Sequence, residues 1–128
     1  MREFPFEYTE ELPLLVITAV VDGYELRLAI DTGASHSVID LTCLLLSGYS
    51  ATDAVGDEEY ETANGTIQAR LFRLRQFEAI GIIRNDLTVS SYDFLGQGVL
   101  SDIDGLLGLD FLEGRHLCID MARKTITL

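Results

Sequence analysis

The feature that most constrains the fold is an Asp22-Gly23 pair between two strand-like runs. Leu14 to Val21 is rich in Val, Ile and Leu, and in Tyr24 to Ile30 apolar side chains alternate with charged ones, which is the period of a half-buried strand. Asp-Gly suits a type I′ turn, because that turn needs positive φ at both central residues. The sequence therefore predicts a β-hairpin that ends at Ile30.

Short strand-like segments separated by turn residues make up the rest of the chain. Further hairpin turns are predicted at Asn64-Gly65, at Asn85-Asp86 (between Phe77 to Ile83 and Leu87 to Tyr92) and at Met121 to Lys124. Leu41 to Gly48 is compatible with a helical turn or a strand, and one short helix is predicted around Leu109 to Glu113. The pattern indicates a mostly β closed or sandwiched fold, with one domain over residues 14–128 behind a leader over residues 1–13.

Composition excludes several classes of partner. The 128 residues include 21 Asp and Glu against 9 Lys and Arg, a net charge of −12, so nucleic acid and anionic membranes are poor ligands. The longest apolar run, Leu14 to Val21, is too short to span a bilayer, and the N-terminus lacks an apolar signal core. Cys43 and Cys118 have no metal or redox spacing. We therefore expect a soluble, cytoplasmic protein whose cysteines are reduced, with a disulfide between the two as the alternative.

The predicted first hairpin leads directly into Asp31-Thr32-Gly33-Ala34-Ser35. A carboxylate at the end of an apolar strand is costly to bury unless it is paired or neutralised. Two such carboxylates can share one proton, so that one member activates water and the other polarises a peptide carbonyl. The alternative is that Asp31 only caps a turn, for which Asp-Thr-Gly is also suitable.

A second segment, Ile103 to Asp110, reads Ile-Asp-Gly-Leu-Leu-Gly-Leu-Asp. Two bulky apolar residues before Gly108 would let a strand pass close behind the Asp31 loop, because glycine permits a tight backbone approach. An ordinary core strand with a glycine turn is the alternative interpretation.

Together, the Asp-Thr-Gly-Ala-Ser segment, the Asn64-Gly65 hairpin and Leu106-Leu107-Gly108 resemble a retropepsin-like aspartic protease of the small single-domain viral or bacterial type. The resemblance implies an all-β, closed retropepsin-like barrel with a short helix near the C-terminus. It also implies a flap over Glu59 to Ala69 that closes on an extended peptide. The implied catalytic residues are Asp31, Thr32 and Gly33, and the implied substrate-binding residues are Ala34, Ser35, Ala63, Asn64, Gly65, Thr66, Leu106 and Leu107. Ser35 departs from the acidic residue that retroviral members commonly carry there.

Asp-Thr-Gly occurs once, so the resemblance implies a homodimer in which each subunit supplies one Asp31. The leader and the terminal strands over Leu117 to Leu128 are the candidates for the dimer sheet. The predicted function is aspartic endopeptidase acting on a polypeptide substrate. No metal or organic cofactor is expected, because His36 and His116 lack a ligand motif. The alternative function is a noncatalytic dimeric peptide-binding or scaffold module with the same fold.

Overall fold

The computed structural model describes residues 2–62, 65–93 and 102–128. The described strands are β1 Glu3–Pro5, β2 Val16–Val21, β3 Tyr24–Ile30, β4 Val38–Asp40, β5 Gly56–Thr62, β6 Gly65–Ala79, β7 Ile82–Tyr92, β8 Gly105–Leu107, β9 Cys118–Asp120 and β10 Thr125–Thr127. The helices are α1 Leu41–Leu46 and α2 Leu109–Leu112, with a single 3₁₀ turn at Ala51–Asp53.

Six strands close into a barrel. Their order is β2-β3-β8-β4-β7-β6, and β6 pairs again with β2 through Ala79 and Phe77, so the ring has no open edge. β5 pairs with β6 outside the ring. β1, β10 and β9 form a separate three-stranded sheet in that order. The all-β closed barrel with a short helix near the C-terminus is therefore confirmed.

The first hairpin has the predicted geometry. Asp22 and Gly23 have φ of 48° and 86°, and the antiparallel register pairs Val21 with Tyr24. Because both central residues have positive φ, the turn twists with its strands, as a type I′ turn does. The hairpin delivers the chain to Asp31 at the end of β3.

The barrel interior holds a continuous apolar core. Its largest fully buried side chains come from the barrel strands, from both helices and from β10; among them are Leu28, Ile39, Leu44, Phe72, Phe77, Leu107, Phe111 and Ile126. Phe77 and Phe111 pack with ring centroids 4.8 Å apart, which fastens α2 to the barrel. Since α2 follows β8 directly, this contact also holds the segment behind the Asp31 loop.

The structure moves one predicted turn and assigns one segment that the sequence left undecided. The turn predicted at Asn85-Asp86 is wrong: the chain reverses at Ile80-Gly81, and Asn85 pairs with Gln76 inside a continuous β7. Ile80 and Gly81 supply the two positive φ values, 44° and 73°, that the turn needs. The segment after β4, for which both helix and strand were open, forms α1.

Candidate active site

The Asp31 loop starts where β3 ends. The Asp31 N–H donates to the Leu107 carbonyl at 2.9 Å, and the Ala34 N–H donates to the Asp31 carbonyl at 3.1 Å, which closes a turn. The Gly33 N–H donates to the Asp31 Oδ1 at 2.8 Å. A Cβ on Gly33 would stand 3.1 Å from the same carboxylate oxygen. The loop thus brings a backbone donor close to a half-buried carboxylate, and Thr32 is exposed beside it.

β8 lies directly behind this loop. It runs parallel to β3, with Ile30 opposite Leu107, and antiparallel to β4, with Val38 opposite Leu106. Leu107 is fully buried in the core, so its side chain has no surface for the substrate contact that the sequence implied. Leu106 is half-buried.

The short segment after β8 is fitted to the loop backbone. A Cβ on Gly108 would lie 2.7 Å from the His36 carbonyl carbon and 2.8 Å from the Ala34 carbonyl oxygen. The Leu109 N–H donates to that Ala34 oxygen at 2.9 Å. Gly108 is therefore required for close approach, as the apolar-apolar-glycine pattern predicted.

Ser37 and Asp110 form a contact that the sequence did not predict. The Ser37 hydroxyl donates to the Asp110 Oδ1 at 2.7 Å, and the Ser37 N–H lies 2.9 and 3.0 Å from the two carboxylate oxygens. The two residues are 73 positions apart, so no local spacing signals the pairing. The only hint is the position of Asp110, two residues after Gly108.

The candidate flap is an antiparallel hairpin of β5 and β6. Glu59 lies opposite Gln68, whose Nε2 donates to the Glu59 Oε1 at 3.3 Å. β6 pairs with β7 only from Arg70 onward, so the part of β6 before Arg70 pairs with β5 alone among the described residues. Gly65 and Thr66 begin β6 and are exposed, whereas Ala63 and Asn64, the other two implied substrate contacts of the flap, lie outside the described residues.

An open pocket of about 570 Å³ lies beside the loop. It is lined by Thr32 and Ser35 from the loop, by residues of and after α2, and by Leu117 just before β9. β9 is the outer strand of its sheet, and all three of its residues are exposed. The pocket therefore connects the Asp31 loop to an unpaired strand edge within the described part of the chain.

Two ionisable groups among the described residues have shifted pKa values, and the surroundings of both indicate a structural role. Burial raises the pKa of the Cys43 thiol to about 12, and the Asp104 and Asp40 carboxylates add to the rise. Burial, with a hydrogen bond to Asp22, raises the pKa of Tyr49. A thiol so hard to ionise is a poor nucleophile or metal ligand, so Cys43 belongs to the core.

Residues 2–62, 65–93 and 102–128 contain neither a cluster of metal-binding side chains nor a membrane-spanning helix. No three His, Cys, Asp or Glu side chains there converge as metal ligands do. No helix there is long and apolar enough to cross a bilayer.

A closed six-stranded barrel, an Asp-Thr-Gly loop and a glycine-containing strand behind it define the retropepsin-like class of fold. The fold matches the crystal structure of a retropepsin-like aspartic protease from Rickettsia conorii with a TM-score of 0.74. The match covers 100% of this chain and 99% of that one at 23% sequence identity.

The sequence places the chain in a family as well as a fold. The aspartyl protease family model matches residues 17–111, a span that includes the Asp31 loop, β8 and Asp110. The chain belongs to the aspartyl protease family. No curated protein matches the sequence significantly.

Proposed function

We propose that the chain is an aspartic endopeptidase that cleaves polypeptides as a homodimer, with Asp31 of each subunit forming one catalytic pair. The observation that carries this proposal is the setting of Asp31. Asp31 is a half-buried residue, its carboxylate accepts the Gly33 N–H at 2.8 Å, and its loop is hydrogen-bonded to β8. Membership of the aspartyl protease family supports the same reaction class.

The chemistry follows from one shared proton. Two carboxylates about 3 Å apart do not both ionise easily, so the pair titrates as a unit. The ionised Asp31 would take a proton from a bound water, which attacks the peptide carbonyl. The protonated Asp31 would donate to the carbonyl oxygen as charge develops there. The tetrahedral intermediate would then collapse as the amine leaves with a proton, and no covalent bond to the enzyme forms.

One subunit supplies only half of that pair, so a second copy is required. The β9 edge supports an isologous contact, because an exposed strand edge pairs readily with another copy of itself. Ile119 and Met121 at this edge are 42% and 49% exposed, so pairing there would remove apolar side chains from water. Leu117 connects the edge to the pocket at Thr32, so pairing there would bring the second loop near the first.

The substrate would lie extended across the two loops under the hairpin of β5 and β6, with its backbone adding as a strand. We propose the loop residues Ala34 and Ser35, and Gly65 and Thr66 of the flap, as substrate contacts. Cys43 and Cys118 are free, which supports a reducing compartment such as the cytoplasm.

The test is cleavage of a diverse peptide mixture from about pH 4 to 7, followed by mass spectrometry. Asp31→Asn keeps the size of the side chain but cannot share a proton, so we expect cleavage to fall by at least roughly 10²–10⁴-fold. Asp86→Asn is the matched control, because Asp86 is an exposed carboxylate at φ 58°, a conformation that asparagine also tolerates.

Cuts made equally by wild type and Asp31→Asn would refute the catalytic role. A folded, dimeric wild type that binds peptides but cuts none would favour the noncatalytic peptide-binding module. Binding of a statine-containing peptide by the wild type that is lost in Asp31→Asn would support the enzyme.

A further inference from the structure

The Asp31 loop is attached at its far end by a buried polar cluster. Ser37, where the loop becomes β4, has no exposed surface. Its N–H and its hydroxyl both donate to the Asp110 carboxylate, the hydroxyl at 2.7 Å. Asp110 Oδ1 also accepts the N–H of Phe111 at 2.8 Å. Every one of these contacts uses the carboxylate as an acceptor, so a negatively charged, donor-free group fits the site.

The Ser37 hydroxyl joins the end of the loop to the start of α2. While it donates to Asp110, its oxygen accepts the Gly108 N–H at 3.0 Å. The next two N–H groups, of Leu109 and Asp110, donate to the carbonyls of Ala34 and Ser35 at 2.9 and 3.2 Å. Three consecutive N–H groups at the start of α2 therefore bind the loop, and the last of them belongs to the residue whose carboxylate holds Ser37.

The loop is thus held at both ends from behind. At its start the Asp31 N–H donates to the Leu107 carbonyl, which is a backbone contact. At its end the Ser37 N–H donates to the carboxylate of the Asp110 side chain. Because an unpaired buried N–H is costly, loss of the carboxylate would force residues 34–37 to move towards another acceptor.

We infer that Asp110 is a positioning residue for the catalytic loop: it acts through Ser37 to hold Asp31 in place and touches neither substrate nor the reacting atoms. The inference rests on the proposed function for its kinetic consequence, while the geometry stands independently of it. A half-ångström displacement of a catalytic group lowers turnover more than binding, because the near-attack geometry is lost while the substrate contacts remain.

The test compares Asp110→Asn with Asp53→Asn. Asp53 accepts the Ser50 N–H at 2.7 Å and the Ser50 hydroxyl at 3.2 Å, the same type of contact in a turn remote in sequence from the loop. Asparagine offers one acceptor oxygen and places an NH₂ where Asp110 has its second. We expect Asp110→Asn to lower kcat about tenfold or more with KM within about threefold, and Asp53→Asn to change both less than about twofold.

A second readout needs no catalysis. The amide signal of Gly33 reports the Asp31 carboxylate, to which it donates. We expect its ¹H–¹⁵N signal to shift or broaden in Asp110→Asn and to stay in place in Asp53→Asn. Ser37→Ala, a milder change, serves if Asp110→Asn does not fold. The double variant should lose no more activity than Asp110→Asn alone, since both act through one contact.

An unmoved Gly33 signal would overturn the inference, as would an Asp110→Asn enzyme that is less stable yet keeps its kcat. A wild type without cleavage would count against the proposed function, and the Gly33 signal would still decide the role of Asp110.

Discussion

Replacement of Gly108 by alanine probes how closely the Asp31 loop is fitted to the segment behind it. The added Cβ would lie 2.7 Å from the carbonyl carbon of His36 and 2.8 Å from the carbonyl oxygens of Ala34 and His36. The backbone at Gly108 has φ −97°, which alanine adopts without strain. The substitution therefore introduces a steric conflict with the loop and no conformational penalty of its own.

The size of the effect follows from these distances. Contacts closer than 3.4 Å are tighter than nine in ten real Cβ contacts, so an atom at 2.8 Å must move by about 0.6 Å. The obstructing atoms are backbone, which cannot rotate away as a side chain tip can. Overpacking of this kind costs about 1–3 kcal/mol of unfolding free energy. Since a displacement of about 1 Å can cost roughly 10²-fold in rate, we expect about a tenfold loss of kcat.

Gly56→Ala is the control for this experiment. Among the described residues a Cβ there meets Leu71 Cδ1 alone, at an ordinary 3.6 Å, and the residue does not have positive φ. Unfolding free energies come from chemical denaturation and rates from peptide cleavage. If Gly108→Ala matches Gly56→Ala in stability, the fit between β8 and the loop is looser than the distances indicate, and the reasoning fails whether or not the wild type cleaves peptides.

Two further predictions concern the proposed interface and the cysteines. Ile119→Lys should raise the dimer dissociation constant in sedimentation experiments, whereas Ile83→Lys, at a similarly exposed position on β7, should not; equal effects would move the interface elsewhere. In dilute protein at pH 8, iodoacetamide should alkylate exposed Cys118 and spare Cys43. The Cys43 thiol has a pKa of about 12 instead of 9.0, so it is less ionised at pH 8, although its thiolate is the more nucleophilic. The net reactivity of Cys43 is therefore lower than that of an unshifted thiol by roughly thirty- to sixtyfold, even before access is considered. Similar modification of both cysteines by mass spectrometry would contradict this.

The parts of the fold that the sequence predicted depend on local requirements, of backbone conformation or of space, that few residue types meet. Asp22-Gly23 is recognisable because both residues take positive φ, which suits Asp and Gly and few others. Gly108 is recognisable because no larger residue fits against His36. In both places the local requirement is strong enough to be read from residue type alone.

The features that escaped prediction depend on contacts distant in sequence. Ile80 takes φ 44°, which is unfavourable for a β-branched residue, and its side chain is buried with only 5% exposed. A Cβ on the adjacent Gly81 would collide with the ring of Phe4, so the packing of β1 selects glycine there. The Asn85-Asp86 pair has better intrinsic turn propensity, but core burial of Ile80 outweighs it. The pairing of Ser37 with Asp110 is likewise visible only once β8 and β4 are adjacent.

The proposed dimer explains why so many contacts hold one short loop. Two-fold symmetry repeats every displacement of one loop in the other, so a shift of about 0.6 Å away from the axis changes the separation of the two Asp31 carboxylates by up to about 1.2 Å. That is a large fraction of the roughly 3 Å at which two carboxylates share a proton. An enzyme that carries both aspartates on one chain can correct one loop independently of the other, whereas a homodimer cannot. Three features therefore limit the same change in the separation of the two carboxylates: the backbone contact at Asp31, the glycine at position 108 and the Asp110 contact to Ser37.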